Sequence, residues 1–266
     1  MTDGGFEPSA TPFHRRHLQS LREVHMPSMG ERGRQVTVGE AEFEEVPQAA
    51  PIASGTNEIG AAKVRAPLEL PPMQPSTQGL ARVVAVTNQK GGVGKTTTVI
   101  NLAATMAASG QRVLVVDLDA QGNCATGLGI DKARVDLTTR DLLLNPERAA
   151  ECRYATRIPT LHVIVGDRRL VAVEDAIVSD LGRESRLAEG IAPLLPHYDL
   201  VLIDTPPNLG VLAINALCAA DGVLVPVQTE YFALEGLAML LSTVEQVRRR
   251  LNPGLGVDGV LMTMHA

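Results

Sequence analysis

Residues 83–97, Val-Val-Ala-Val-Thr-Asn-Gln-Lys-Gly-Gly-Val-Gly-Lys-Thr-Thr, decide the fold of this 266-residue chain. The apolar run Val83–Val86 predicts a short buried strand, and a glycine-rich turn leads from it into a helical pattern at about Gly94. A strand, a glycine turn and a helix N-terminus form the context in which a phosphate-binding loop occurs. The helix N-terminus offers unpaired N–H groups and a partial positive charge, and both suit a phosphate group.

Several residues of this loop have properties that suit phosphate binding. Gly91, Gly92 and Gly94 are expected to let the backbone adopt positive φ and come close to an anion. Lys95 can reach the β and γ oxygens of a nucleotide, and the Thr96 hydroxyl can ligate Mg²⁺. The stretch therefore predicts a nucleotide-binding site that needs a divalent cation.

The loop also departs from the standard pattern. That pattern begins with a glycine five residues before its last glycine, whereas this chain has Gln89 there and a second lysine, Lys90, directly after it. The variation predicts a modified phosphate loop that carries two lysines. Its expected nucleotide-binding residues run without a gap: Lys90, Gly91, Gly92, Val93, Gly94, Lys95, Thr96 and Thr97.

Composition predicts an acidic globular chain. Apolar residues make up 45% of the sequence and charged residues 20%, so a core can be buried. The formal net charge of −6 means that a nucleic-acid surface would have to be a local patch. Three cysteines without CxxC spacing indicate a reducing compartment and predict neither a disulfide framework nor a zinc site. Because the sequence has no apolar signal core and no membrane-length apolar run, we expect a cytoplasmic protein.

The chain is expected to divide at about residue 80. Residues 1–80 are rich in proline, glycine and acidic residues without apolar periodicity, which predicts a disordered tail. Within them, residues 13–24 are either part of a solvated linker or a short docking helix. Residues 81–266 alternate apolar runs with helical patterns. Continuous Val, Leu and Ile runs predict an α/β fold with a mostly parallel sheet flanked by helices on both faces.

Acidic residues follow two of the predicted strands. Asp117 and Asp119 end the strand after the loop helix, and Asp204 ends the later run Leu-Val-Leu-Ile. Functional loops lie at the carboxyl ends of parallel strands, so these side chains can meet the phosphate loop. Asp119 could orient a water or hold the Mg²⁺ shell, but an aspartate before Ala-Gln-Gly-Asn also suits a plain turn. Asp204 stands where phosphate-loop NTPases carry the aspartate that supports Mg²⁺.

Other chemistry-bearing residues have simpler interpretations. The last predicted helix ends on three consecutive arginines: Arg248, Arg249 and Arg250. Cations are favoured near a helix C-terminus, so capping and solubility compete here with a patch for the DNA backbone. His162, Cys124 and Cys218 have no neighbours at ligand spacing, and we expect structural roles for all three.

Together these motifs resemble the ParA/Soj branch of the deviant Walker A ATPases, the P-loop NTPase family that also holds MinD and the nitrogenase iron protein. The resemblance covers about residues 81–264. The matching blocks are, in order, Asn88–Thr98, Val115–Asp119 with Gln121–Asn123, Ile203–Pro207, and Glu230–Gly236.

The resemblance implies a Mg²⁺-dependent ATPase that dimerises around two ATP molecules. Lys90 would be the signature lysine that reaches the phosphates of the other subunit, and Asp119 would position the attacking water. The implied catalytic residues are Lys90, Lys95 and Asp119, and the implied metal residues are Thr96, Asp119 and Asp204. Members of this branch bind DNA non-specifically as ATP dimers and are released when a ParB-like partner stimulates hydrolysis. This cycle moves and positions chromosome or plasmid cargo.

Two departures from the family pattern stand out. Ala120 replaces the proline that usually follows the two aspartates. The family pattern also continues beyond Ala266, with a further strand, the segment that lines the adenine pocket, helices and DNA-contacting basic residues. We therefore expect the phosphate half of the site without the base half, and an exposed sheet edge.

Alternative interpretations remain open. A MinD-like membrane positioning ATPase would need a C-terminal amphipathic helix, and the motif Gln121–Asn123 fits the partition branch better, so no stable membrane association is expected. An inactive chain that acts only as an interaction fragment is the non-enzymatic alternative. An iron–sulfur reductase is not expected, because the three cysteines do not follow strand ends in the needed way.

Overall fold

The computed structural model of the chain describes three ranges, residues 79–177, 180–229 and 233–264. The side chains of residues 233–234 are not described. The tail predicted for residues 1–80, with its segment 13–24, lies outside the described ranges except for its last two residues. Residues 230–232, which begin the last matching motif, also lie outside them.

Seven strands and seven α-helices make up the described part of the chain. The strands are β1 (Arg82–Val86), β2 (Val113–Asp117), β3 (Arg153–Ala155), β4 (Leu161–Ile164), β5 (Leu200–Asp204), β6 (Gly222–Gln228) and β7 (Gly256–Thr263). The helices are α1 (Lys95–Ala108), α2 (Asn123–Gly127), α3 (Thr139–Leu144), α4 (Leu170–Ile177), α5 (Arg186–Ile191), α6 (Val211–Ala219) and α7 (Ala233–Arg250). Short 3-10 turns cover Lys132–Arg134, Pro146–Arg148, Arg183–Ser185 and Leu195–His197.

The strands form one sheet in the order β3-β4-β2-β5-β1-β6-β7. Neighbouring strands run parallel except β3, which pairs antiparallel with β4. Every residue of β2 and β5 is buried, as continuous apolar runs predict. The predicted α/β fold with a mostly parallel sheet is confirmed. Asp204 lies opposite Val86 on one side and Asp117 on the other, so the carboxyl ends of the three central strands meet at one edge.

Side chains of the central strands alternate between two hydrophobic cores. Val83 and Ala85 belong to one core, and Val84 and Val86 belong to the other, as the two-residue period of a strand requires. Helices α3 to α7 cover the first core, and α1 and α2 cover the second. Helix α1 buries Val99, Ala103 and Ala107 in the second core, so the helix that follows the glycine loop is held against the sheet.

Several short elements differ from the sequence expectation. β3, α2 and α4 were not predicted, and β3 and α2 are too short to show a clear periodicity. The sequence predicts a helix around residues 184–192. This segment begins instead with a 3-10 turn after Gly182, whose φ is +75°, and α5 starts only at Arg186. β7 forms one edge of the described sheet and exposes Val260 and Met262.

His162 has a structural role in the described part of the chain. Its Nδ1 lies 2.9 Å from the buried hydroxyl of Tyr198, which also accepts a hydrogen bond from Arg153 at 3.3 Å. Burial, together with the nearby Arg153 charge, lowers the pKa of His162 to about 4. The ring is therefore neutral inside the fold at neutral pH.

Acid should destabilise the protein through His162. Its folded pKa lies below the ordinary value of 6.5, so the unfolded chain takes up the proton first and the stabilising contribution is lost as pH falls from about 6.5 towards 4. The variant His162→Gln can still bond to Tyr198 but does not titrate. Between pH 7 and pH 4.5 we therefore expect its free energy of unfolding to fall by about 2 kcal/mol less than that of the wild type. Urea unfolding at both pH values measures this, and identical pH dependence in the two proteins would contradict it.

Candidate nucleotide-binding site

The glycine loop joins β1 to α1 and has the backbone geometry of an anion cradle. Gly94 precedes α1 with φ +89°, and Gly92 has φ +75°, so both occupy a region that favours glycine. The expectation of positive φ is wrong for Gly91, where an added Cβ would only come within 3.9 Å of Pro207. Gly94 offers no side chain to cap α1, which leaves the first-turn N–H groups for a ligand.

The two lysines of the loop differ in their surroundings. Lys95 is 7% exposed, and its Nζ donates to the carbonyl oxygen of Lys90 at 3.1 Å. Burial lowers the pKa of Lys95, while the carboxylates of Asp204 and Asp119 oppose that shift. Lys90 is exposed. Its backbone N–H donates to Asn88, whose amide in turn donates to the carbonyl of residue 226 on β6. The loop is thus anchored to the sheet, and it carries one buried lysine and one exposed lysine.

The remaining loop residues have separate positions. Val93 is buried, and its carbonyl accepts a hydrogen bond from the hydroxyl of Thr263 at the end of β7, 2.9 Å away. Thr97 is exposed, and its carbonyl accepts a hydrogen bond from Asn101. Thr263 was not singled out in the sequence, although it ends a predicted strand on the same edge of the sheet. Its hydroxyl ties the last strand to the loop.

Thr96 and Asp204 form the cation side of the site. The hydroxyl of Thr96 donates to Asp204 Oδ2 at 2.7 Å, although the two residues lie on different elements. Asp204 is fully buried, and its Oδ1 has no hydrogen-bond partner among the described residues. Burial raises the pKa of Asp204 to about 6. A hydroxyl and an under-coordinated carboxylate are oxygen donors that fit Mg²⁺.

The two aspartates of the Asp-x-Asp motif have different environments. Asp117 is fully buried, and burial together with Asp204 raises its pKa to about 8. Asp119 is half-buried, and its Oδ1 accepts a hydrogen bond from the backbone N–H of Gln121 at 2.9 Å. Asp119 therefore stabilises a turn, which is one of the two roles that the sequence allows. The Asp119 charge contributes to raising the pKa of both Lys95 and Asp204. Among the described residues, Asp117 joins Asp204 in a cluster of possible ligand atoms that lie within 4.8 Å of one another.

Gly166 at the end of β4 sets the position of this motif. A Cβ there would lie 2.5 Å from the carbonyl oxygen of Asp119 and 2.8 Å from that of Asp117. Thr139 Oγ1 donates to the same Asp117 carbonyl at 2.7 Å. Neither Gly166 nor Thr139 could be found from a sequence pattern, because their proximity to the motif depends on how β4 and α3 pack.

The expectation that Cys124 has no partner among possible ligands is wrong. The Sγ of Cys124 donates to Asp204 Oδ2 at 3.3 Å, and its backbone N–H donates to Asp117 Oδ2 at 3.2 Å. Asp117, Cys124 and Asp204 each offer one ligand atom, all within 4.8 Å of one another, and all three residues are buried. Burial raises the pKa of the Cys124 thiol. All three cysteines are free.

The three arginines at the end of α7 are exposed, and two of them are paired. Arg248 and Arg249 both form ion pairs with Glu245 one turn earlier, which is what the capping and solubility interpretation predicts. Arg250 extends the basic end of the helix. Among the residues that the structure describes, no helix is long and apolar enough to cross a membrane.

The fold and the site together define a class of protein. β1 runs through a glycine loop into α1, Lys95 and Thr96 open that helix, and Asp204 approaches from the neighbouring strand. This is the arrangement of a P-loop nucleoside triphosphatase.

Comparison with known proteins narrows the class. A family model described as an AAA domain matches residues 81–257. The chain is 47% identical over 185 residues to the sporulation initiation inhibitor protein Soj of Bacillus subtilis, covering 70% of this chain and 73% of that protein. It is 45% identical to the chromosome partitioning protein ParA of Myxococcus xanthus, covering 70% of this chain and 65% of the relative. The chain belongs to the ParA/Soj family of P-loop ATPases, whose enzymatic activity is ATP hydrolysis.

A solved structure agrees with this fold. Cobyrinic acid a,c-diamide synthase from Mycobacterium smegmatis, with bound ADP and magnesium, superposes with a TM-score of 0.66. It is 38% identical and covers 69% of this chain and 74% of its own length. The shared fold therefore extends over the part of the chain that carries the loop and the strand-end aspartates.

Proposed function

We propose that this chain is a Mg²⁺-dependent partition ATPase of the bacterial cytoplasm or nucleoid. ATP would drive formation of a homodimer that binds DNA, and a ParB-like partner would stimulate hydrolysis and release it, so that chromosome or plasmid cargo is segregated. The observation that carries the proposal is the contrast between its two loop lysines. Lys95 is buried, whereas Lys90 in the same loop is exposed, so a second subunit could bring its phosphates to Lys90.

Each residue of the site has a proposed role. The first-turn N–H groups of α1 and Lys95 bind the phosphates of ATP in the same subunit. Lys90 adds a cation from the other subunit, as an arginine finger does when it is supplied in trans. Asp119, beside the loop, orients the attacking water. Hydrolysis then proceeds by positioning and by electrostatic stabilisation of the transferring phosphoryl group.

Thr96 and Asp204 are proposed to hold the cation, with Asp117 and Asp119 close by. Support comes from the Oδ1 atom of Asp204, which is buried and has no partner in the described part of the chain. When bound, Mg²⁺ would neutralise charge on the β and γ oxygens of ATP. The M. smegmatis neighbour was solved with bound ADP and magnesium, which supports Mg²⁺ as the cation but names no residue that holds it.

DNA binding by the dimer has its support in the basic end of α7. Arg250 adds an exposed charge to two arginines that share Glu245. Such a patch would contact the phosphate backbone without reading sequence, and its binding would weaken as salt is raised. The name of the M. smegmatis neighbour describes amide synthesis, but the relatives of higher identity favour a partition or regulatory role.

The test compares DNA with membrane, because a MinD-like alternative binds lipid. Fluorescence anisotropy with a random DNA duplex, and co-sedimentation with anionic vesicles, are each measured with Mg-ATP and Mg-ADP. We expect ATP-dependent binding to DNA at low salt, no ATP-dependent vesicle binding, and faster ATP turnover when DNA and a ParB-like protein are added. ATP-dependent vesicle binding without DNA binding would contradict the proposal. Absence of any response to ATP would favour the inactive-fragment alternative.

A further inference from the structure

Cys124 brings a thiol into the cation side of the site. Its Sγ lies 3.3 Å from Asp204 Oδ2, and Asp117 supplies a third ligand atom, all three within 4.8 Å. A tetrahedral ion with the usual zinc–sulfur and zinc–oxygen distances separates those two ligand atoms by about 3.6 Å. The side chains therefore already lie close to the spacing that one ion would impose.

A second observation points to a ligand at the same place. Asp204 Oδ1 is buried and lacks a hydrogen-bond partner in the described part of the chain, and a buried unpaired carboxylate oxygen is costly. Asp117 adds a second fully buried carboxyl group directly opposite Asp204 in the sheet. A divalent cation between them would satisfy both groups.

The donor set determines which cation fits. Two carboxylates suit hard and borderline ions alike, but a thiolate selects a soft ion such as Zn²⁺ or Cd²⁺ over Mg²⁺. Thr96 also donates to Asp204 Oδ2, so an ion at this cluster would lie beside the position proposed for Mg²⁺. On binding, the S–H bond of Cys124 breaks and sulfur keeps the electron pair for the metal. This proton, and the proton held by the buried Asp117 carboxyl group, pass to the buffer.

We propose that Asp117, Cys124 and Asp204 form a site for a thiophilic divalent cation, and that Cys124 sets the cation selectivity of this ATPase. The ion would compete with Mg²⁺ for Asp204 and so lower ATP hydrolysis when soft metal is abundant. The inference rests on the proposed position of Mg²⁺, but soft-metal binding can be measured without nucleotide. Its failure is thus distinguishable from failure of the ATPase proposal.

The test uses the full chain without nucleotide and Cd²⁺ as the probe. We expect a saturable ultraviolet thiolate-to-Cd²⁺ charge-transfer band that reaches one ion per chain. Cys124→Ser should lose the band and bind Cd²⁺ about 100-fold more weakly or worse, since even residues that only support metal ligands cost 10–100-fold. Binding of Mn²⁺, a hard probe followed by electron paramagnetic resonance, should stay within about threefold because the carboxylates remain.

Matched controls use the other two cysteines. Cys152 and Cys218 lie outside the metal cluster found among the described residues, so the double variant Cys152→Ser/Cys218→Ser should keep the full band. This variant leaves the proposed site untouched and gives a result even if Cys124→Ser does not fold. A wild-type chain or double variant without the band would overturn the proposal. A Cys124→Ser protein that keeps the band, or that loses Cd²⁺ and Mn²⁺ equally, would also overturn it.

Discussion

Lys95→Ala should abolish ATP binding and lower turnover by about 10³-fold, because the variant removes the buried cation that faces the phosphates in its own loop. The side chain is 7% exposed and no other described lysine is buried with it, so nearby residues cannot replace its charge. The fold should survive, since alanine suits a helix and removes a buried charge.

Ligand-linked stability measures this effect directly. In wild type, Mg-ATP at about 100 times its Kd should raise the free energy of unfolding by about 2.7 kcal/mol, whereas Lys95→Ala should show no change. Lys132→Ala is the matched control, because Lys132 is exposed and its Nζ bonds to the Gln121 carbonyl outside the phosphate loop. If Mg-ATP raised the free energy of unfolding equally in the wild type and in Lys95→Ala, the loop would not be part of the nucleotide-binding site.

Lys90→Ala should show the complementary behaviour, with binding retained and hydrolysis lost. The Lys90 side chain is exposed, whereas its backbone, anchored through Asn88, is unaffected by the substitution. ATP affinity of the single subunit should therefore change only a few-fold, while turnover falls by about 10³-fold, the lower range for a cation supplied in trans. Single-site ATP binding by calorimetry and turnover by phosphate release separate the two effects. A parallel loss of affinity and turnover would mean that Lys90 serves its own subunit.

The central architecture was predictable because its signals are local. Apolar runs ending in aspartate predicted the buried β2 and β5, and a glycine turn after an apolar run predicted the junction of β1 and α1. The strand-end rule then indicated that Asp204 would meet the loop, and its carboxylate indeed accepts a hydrogen bond from Thr96. These features depend on periodicity and on topology that the parallel sheet dictates.

The remaining details depend on packing between distant segments. Cys124 meets Asp204 across 80 positions of sequence, and no spacing pattern could indicate this contact. Asp117 looked like one of a pair of similar motif aspartates. It lies at the end of a fully buried strand, where burial raises its pKa, whereas Asp119 is only half-buried. Gly91 resembled its neighbours in sequence, yet only Gly92 and Gly94 have positive φ. Such distinctions arise from tertiary structure alone.

The account depends most on Lys90 as the residue that joins two subunits around ATP. Sedimentation velocity of the full chain and of Lys90→Ala, each with Mg-ATP and with Mg-ADP, tests this most directly. We predict that the wild type sediments as a dimer with ATP and as a monomer with ADP, and that Lys90→Ala remains a monomer with either nucleotide while still binding ATP. A Lys90→Ala protein that dimerises with ATP as the wild type does would contradict the account.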